Sequence, residues 1–326
     1  MSELMVLSMP SFLLTRLRRR WLPLLCMAVL IIGLPVSCSV LKYTERELLF
    51  RIEPGNAGWY RGLPQDVQEF DIKPASFKAG QSLHAWWWPA ARRDAPSILY
   101  LHGVRWNLTG HAFRIEQLRA MGYSVLAIDY RGFGQSKGDL PSEASVYEDA
   151  RAAWERFTQM QPDANKRLIY GHSLGGAVAI DLAADLAAQA KKEHGVVPVR
   201  GLVIESTFTS LGDAVAQVAD SNLPVKWLPV RWLLSQKFDS IDKIVDINMP
   251  LLVVHGLADP FMPSRFSQQL FNAANEPKHL LLVPGGTHNN SMSRGGTQYR
   301  QALDGLMKTK PTQMAGPAVV RVSRES

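Results

Sequence analysis

Ser173 stands between Gly171 and Gly175 in the stretch Leu168-Ile-Tyr-Gly-His-Ser-Leu-Gly-Gly176. An apolar run precedes it, and an alanine-rich helical pattern follows from Ala177 to about Lys192. A serine in a Gly-x-Ser-x-Gly turn between strand and helix has the setting of a nucleophile. The turn is crowded and strained, so its flanking positions must carry no side chain. A serine hydroxyl also needs a base, and the base needs an orienting carboxylate. Two later turns offer them. Leu251-Leu-Val-Val-His-Gly-Leu-Ala-Asp259 puts Asp259 just past an apolar run, and Gly285-Gly-Thr-His288 puts His288 in a glycine-bearing loop past the next one. Glu205, at the end of the intervening apolar run, is the fallback acid. His102, His172 and His255 read as structural, and His279 opens a strand with no glycine loop around it. Asp129 ends an apolar run in a turn and is read as bonding that turn.

These three residues must be positioned by alternating strands and helices. Strands are expected at Ile98–Leu101, Tyr123–Ile128, Arg167–Tyr170, Gly201–Ile204, Leu251–Val254 and His279–Val283. Helices are expected at Gly110–Met121, Ser145–Gln161 and Arg294–Met307, besides the one after Ser173. The strands are near-continuous apolar runs, which means burial on both faces. The fold class is therefore α/β: a mostly parallel twisted sheet with helices on both faces. Ser173, Asp259 and His288 then all project at the carboxyl edge of the sheet, where sites of open α/β sheets form. A hairpin, Val67–Ile72 with Leu83–Trp88, precedes the alternation, and its three tryptophans read as sheet packing. Residues 207–240, rich in Trp, Leu and Pro, break the rhythm and read as a small helical cap over the site.

The remaining organisation follows from composition. The chain has 326 residues, 46% hydrophobic and 20% charged, enough for a sizeable core. Its net charge of +7 is concentrated partly in Arg16, Arg18, Arg19 and Arg20, which makes it a topology signal and not a nucleic-acid footprint. Trp21–Leu41 then gives 21 residues without a charge, enough to span a bilayer core of ~30 Å. Residues 1–41 are read as a basic leader and signal-anchor segment, with the N-terminus cytoplasmic and the remainder on the exported side. A lipoprotein signal with Cys38 lipidated and a cleaved signal peptide are the alternatives. Residues 42–66 read as a linker, 67–309 as the catalytic domain and 310–326 as a flexible tail. After Cys38 there is no cysteine, no pair of histidines has metal-ligand spacing with a carboxylate, and no glycine-rich phosphate loop occurs. No cofactor or metal is expected.

Taken together, Leu101-His-Gly103, Asp129-Tyr-Arg-Gly-Phe-Gly134, Gly171-His-Ser-Leu-Gly-Gly176, His255-Gly-Leu-Ala-Asp259 and Gly286-Thr-His288 resemble the serine hydrolases of the α/β-hydrolase superfamily. The hydrophobic N-terminus running into Glu47-Leu-Leu-Phe50 is similar to that of the membrane-anchored α/β-hydrolase-domain proteins, some of which act on acyl lipids or acyl-thioesters. The resemblance implies Ser173 as nucleophile, His288 as general base and Asp259 as its orienter. It also implies an oxyanion hole from the backbone N–H groups of Val104 and Leu174. Val104-Arg-Trp-Asn-Leu-Thr109 departs from the pattern, since many relatives carry smaller residues and a second glycine there. Arg105 and Trp106 are therefore candidates to line or narrow the substrate pocket. The expected activity is a membrane-tethered serine hydrolase acting on small-molecule or lipid-like esters or thioesters of apolar acyl groups. A serine aminopeptidase, an acyltransferase, or a catalytically silent binding module on the same fold are the alternatives.

Overall fold

The computed structural model describes residues 39–222, 234–309 and 318–321. The basic leader and the apolar segment to residue 38, with Cys38, lie outside these, as do residues 223–233 of the expected cap. The chain divides into two units, Met1–Glu45 and Arg46–Ser326. Helix α1 covers residues 39–50. Among the described residues no helix is long and apolar enough to cross a membrane.

The larger unit is built on one sheet: β1 (Gln68–Ile72), β2 (Leu83–Trp88), β3 (Ser97–Leu101), β4 (Ser124–Ile128), β5 (Arg167–His172), β6 (Gly201–Glu205), β7 (Leu251–Gly256), β8 (Lys278–Val283) and β9 (Ala318–Arg321). Their order is β1-β2-β4-β3-β5-β6-β7-β8-β9. β1 and β2 form the expected antiparallel hairpin, β2 meets β4 antiparallel, and every other pairing is parallel. β3 to β7 are buried along their whole length, as their apolar runs require. β9 lies within the stretch expected to be a flexible tail. Four residues with two adjacent valines suffice to extend a sheet edge, although they are too few to be legible as a strand beforehand.

Helices cover both faces. Leu99, Leu101, Ile169 and Ile204 pack with α3 (Glu143–Met160), α4 (Leu174–Lys192) and α7 (Arg265–Ala273). The alternate strand residues Ile98, Tyr100, Tyr170 and Val203 pack with α2 (Leu108–Ala120) and α8 (Ser291–Lys308). The two sets follow the period-2 alternation of a strand. α3 begins where Ser142 and Ser145 cap each other's backbone N–H groups. The described parts of the expected cap are α5 (Leu211–Asn222) and a short helix α6 (Ser240–Lys243). Trp86 and Trp88 are buried in the sheet packing, as expected.

The segment expected to be a linker is more closely bound than that word implies. Phe50 and Ala57 are buried, and Arg46 donates to the carbonyl oxygens of Leu140 and Pro141. Ala57 donates its amide to Thr109 Oγ1 at 2.9 Å, and Asn107 Nδ2 donates to the Gly55 carbonyl at 2.8 Å. The domain therefore begins about twenty residues earlier than the hairpin, near Arg46.

Candidate active site

β5 ends at His172 and α4 begins at Leu174, which leaves Ser173 alone in the turn with φ 56° and ψ −122°. That conformation costs a non-glycine residue of the order of 1–3 kcal/mol, so the surroundings must impose it. Two hydrogen bonds help to do so: Ser173 donates its amide to the Glu205 carbonyl at 2.9 Å, and Gly176 donates to the Ser173 carbonyl at 2.9 Å. The glycines answer to close approach. A Cβ at Gly175 would lie well inside contact with the carbonyl oxygen of Leu101, and one at Gly171 would meet that of Gly175. α4 can start this near the sheet only without those side chains.

Asp259 follows β7 and His288 follows β8. The two loops are stitched to each other, since Leu257 donates to the Val283 carbonyl at 2.9 Å and Ala258 to the Gly286 carbonyl at 2.8 Å. His288 Nδ1 donates to Asp259 Oδ2 at 2.8 Å. Asp259 Oδ1 accepts the amides of Phe261 and Met262, both at 2.9 Å. Burial pushes the Asp259 carboxyl up, but the hydrogen bond and charge of His288, with the amides of Met262 and Phe261, outweigh it and hold the group below the usual carboxylate range. Asp259 is thus kept as an anion.

His172 connects the serine turn to the histidine loop. Its Nε2 donates to the His288 carbonyl oxygen at 2.9 Å, and the two imidazoles lie 4.9 Å apart between centroids. Burial, with the Arg114 charge second, drives its pKa well below the ordinary value, so the ring is neutral. Ser173 is 8% exposed, and no hydrogen bond joins its Oγ to His288 among the described residues. In unliganded sites such bonds are commonly long and tighten only on the bound substrate.

The loop after β3 closes the other side. A Cβ at Gly103 would sit 3.0 Å from Ser173 Cβ, so the absence of a side chain eases the close approach of this loop to the Ser173 turn. Among the described residues the amides of Val104 and Leu174 meet no acceptor. Asp129 Oδ1 accepts the Leu108 amide at 2.8 Å and Asn107 caps α2, so these two residues fix where the loop ends. Arg105 is exposed, while His111 Nε2 donates to its carbonyl at 3.1 Å. Trp106 adopts φ 63° and packs edge-to-face on Trp59, with centroids 5.5 Å apart at 76°.

Comparison with known proteins agrees with this architecture. Residues 93–241 match the family model described as serine aminopeptidase, S33. The uncharacterized protein Rv2307c of Mycobacterium tuberculosis is 36% identical over 213 residues, covering 65% of this chain and 69% of that protein. The uncharacterized protein YfhR of Escherichia coli is 30% identical over 234 residues, covering 69% and 76%. Human ABHD12B is 31% identical over 243 residues, covering 68% of this chain and 64% of its own length. Among solved structures, an alpha-beta hydrolase from Vibrio vulnificus superposes with a TM-score of 0.61 at 18% identity, over 82% of this chain and 93% of that one.

The chain belongs to the α/β-hydrolase family.

Within this α/β-hydrolase the remaining candidates are placed clearly. His102 bonds the Gly103 carbonyl through Nδ1 at 2.6 Å, and burial lowers its pKa. His255 is fully buried, with Nδ1 on Ser267 Oγ at 2.7 Å and Nε2 on the Met262 carbonyl at 2.8 Å. Both rings are held by these bonds to neighbouring main chain and side chain. Glu205 is buried and engaged by Arg114 Nη1 at 2.8 Å, by Tyr299 Oη at 2.7 Å and by Tyr170 Oη. It orients no histidine. Sequence reasoning had no signal for Arg114, which lies in an ordinary helical pattern. Phe261 was also missed; its ring stands edge-to-face to His288 at 5.6 Å and is 49% exposed. A free aromatic side chain immediately after an Asp-Pro turn was the available cue.

Proposed function

We propose that this α/β-hydrolase is a serine hydrolase that cleaves carboxylic ester or thioester bonds of apolar acyl substrates through an acyl-enzyme. The observation that supports it most is the hydrogen bond of His288 Nδ1 to an anionic Asp259, on a loop tied by His172 to the strained turn of Ser173. Ser173 Oγ attacks the substrate carbonyl carbon and passes its proton to His288 Nε2. The oxygen of the tetrahedral intermediate takes its charge against the Val104 and Leu174 amides; losing one such donor typically costs about 10²–10³ in rate. The intermediate collapses, and the departing alcohol or thiol takes the proton from His288. Water then adds to the acyl carbon, giving its proton to His288, and the carboxylic acid leaves as Ser173 regains its hydrogen. Asp259 keeps the imidazole in the tautomer whose Nε2 is free to accept. Apolar acyl groups are favoured by two half-exposed rings, Phe261 beside His288 and Trp59 on Trp106. No resident metal or cofactor enters this scheme. Residues 1–41 would tether the enzyme to a membrane with the hydrolase unit on the exported side, and Cys38 lipidation is the other form of tether.

A fluorophosphonate probe tests the chemistry. Labelling of the wild type and none of Ser173→Ala is expected; equal labelling of both, or of neither, removes the enzyme reading and leaves a silent binding module. A chain-length series of p-nitrophenyl esters, with an acyl-thioester and a lysophospholipid alongside, defines the substrate. The family model matched by residues 93–241 carries the description serine aminopeptidase, which favours peptide amides as a second reading. Aminoacyl p-nitroanilides turned over faster than the esters would establish it. Retention of the full chain in the membrane fraction at alkaline pH is the outcome expected of a spanning anchor.

A further inference from the structure

Behind the serine turn lies a buried charged cluster to which the proposed chemistry assigns no task. Glu205 ends β6 and Arg114 lies in α2, with side chains 0% and 1% exposed and Nη1 2.8 Å from Oε1. The second carboxylate oxygen accepts Tyr299 Oη at 2.7 Å and Tyr170 Oη, and the two phenols lie 2.6 Å apart. Burial opposes the charge of Arg114, but Glu205 and the surrounding phenols more than offset it, so the guanidinium stays charged.

The cluster touches both halves of the site through main chain. The carbonyl of Glu205 accepts the amide of Ser173 at 2.9 Å. On the other side, Arg114 Nη2 lies between the carbonyl oxygens of His288 and Asn289, at 3.5 and 3.3 Å. Each is a long contact, but the donor is charged, forked and shielded from water, conditions that strengthen it. The His288 carbonyl also accepts His172 Nε2 at 2.9 Å, so two buried donors converge on it. His288 cannot slide along its loop without stripping an acceptor from a buried cation.

We propose that Arg114 and Glu205 are positioning residues that set the separation of Ser173 and His288: Arg114 holds the main chain of the base's loop, and the Glu205 carboxylate fixes Arg114 against the strand whose main-chain carbonyl holds the nucleophile's amide. Neither touches substrate. The proposal rests on the serine-hydrolase reading above. Buried ion pairs are weak contributors to stability and are often replaced by apolar residues without loss, whereas removing one partner leaves a buried charge uncompensated. That difference supplies the test.

Wild type, Glu205→Gln, Arg114→Lys and the double variant Arg114→Met/Glu205→Leu are compared on a p-nitrophenyl ester. Rates are expressed per active site titrated with fluorophosphonate, melting temperatures are recorded, and amide exchange of residues 285–291 is followed by mass spectrometry. The double variant is expected to melt within a few degrees of wild type, to lose about 10²-fold in kcat with KM little changed, as a misplacement near 1 Å would give, and to exchange faster in the histidine loop. A double variant with wild-type kcat per titrated site and unaltered loop exchange overturns the proposal. If the wild type itself neither turns over esters nor labels, the serine-hydrolase reading fails. Loop exchange then decides the tether alone: faster exchange in Glu205→Gln and Arg114→Lys supports it, and unchanged exchange refutes it.

Discussion

His172 donates from Nε2 to the main-chain oxygen of His288 at 2.9 Å, so the residue before the serine in the chain grips the loop that carries the proposed base. The bond needs a donor at that place and not a titrating imidazole, since burial keeps the ring neutral. His172→Phe is expected to lower kcat about tenfold, the worth of one oriented hydrogen bond near 1.4 kcal/mol. His172→Gln, which keeps a donor of similar reach, should recover part of the loss. Steady-state kinetics on one ester distinguish the two.

Asp259→Asn should cost about 10³–10⁴ in kcat, because an amide donor facing Nδ1 forces the wrong imidazole tautomer. The fold should survive, since Oδ1 can still accept the Phe261 and Met262 amides. Circular dichroism with kcat/KM checks both halves of this statement.

The Asp259 carboxyl titrates lower in the folded chain than the ~3.9 of an unfolded aspartate. A depressed folded pKa means stability that is fully present above the unfolded value and is lost as pH falls through the folded one. As pH falls below about 4, the melting temperature of the wild type should therefore fall more steeply than that of Asp259→Asn. Parallel curves would contradict the assignment.

Two glycines by the site should respond differently to alanine. Gly175→Ala places a methyl group inside the Leu101 main chain, where nothing can give, and should cost several kcal/mol or abolish soluble expression. Gly285 has φ +67° and open space around it, so Gly285→Ala should cost only about 1 kcal/mol of backbone strain. Denaturant midpoints separate the cases.

Trp106 bears on selectivity more than on stability. Trp106→Gly relieves about 1–2 kcal/mol of strain at φ 63° and forfeits a tryptophan pair worth about 0.5–1.5 kcal/mol. The ring's buried apolar area is lost as well, so the melting temperature should fall by a few degrees. The ester series should shift toward longer or bulkier acyl chains; an unchanged preference would place Trp106 outside the substrate path.

Ser173, Asp259 and His288 were legible because each sits in a turn directly after a buried strand, and an apolar run followed by Gly or Asp is a local signal. The same reasoning placed the hairpin and the central strands to within a residue or two. Arg114 was not legible. Its partner Glu205 is 91 residues away, and a pairing across a sheet leaves no trace in the neighbourhood of either residue. α7 was missed because Phe266, Leu270 and Phe271 give too brief a periodic pattern between Pro263 and Pro277. Residues 42–66 read as a linker because, past α1, their irregular backbone is fixed by bonds to α2 and its cap, not by a pattern of their own.

That last segment has a practical consequence for anyone exchanging parts between relatives. Gly55 and Ala57 are bonded to the start of α2, and Trp59 leans on Trp106 beside the proposed oxyanion loop. A chimaera cut at the hairpin would bring a foreign neighbour for Trp106 with its new N-terminus, so its acyl preference is expected to shift even with Ser173, Asp259 and His288 unchanged.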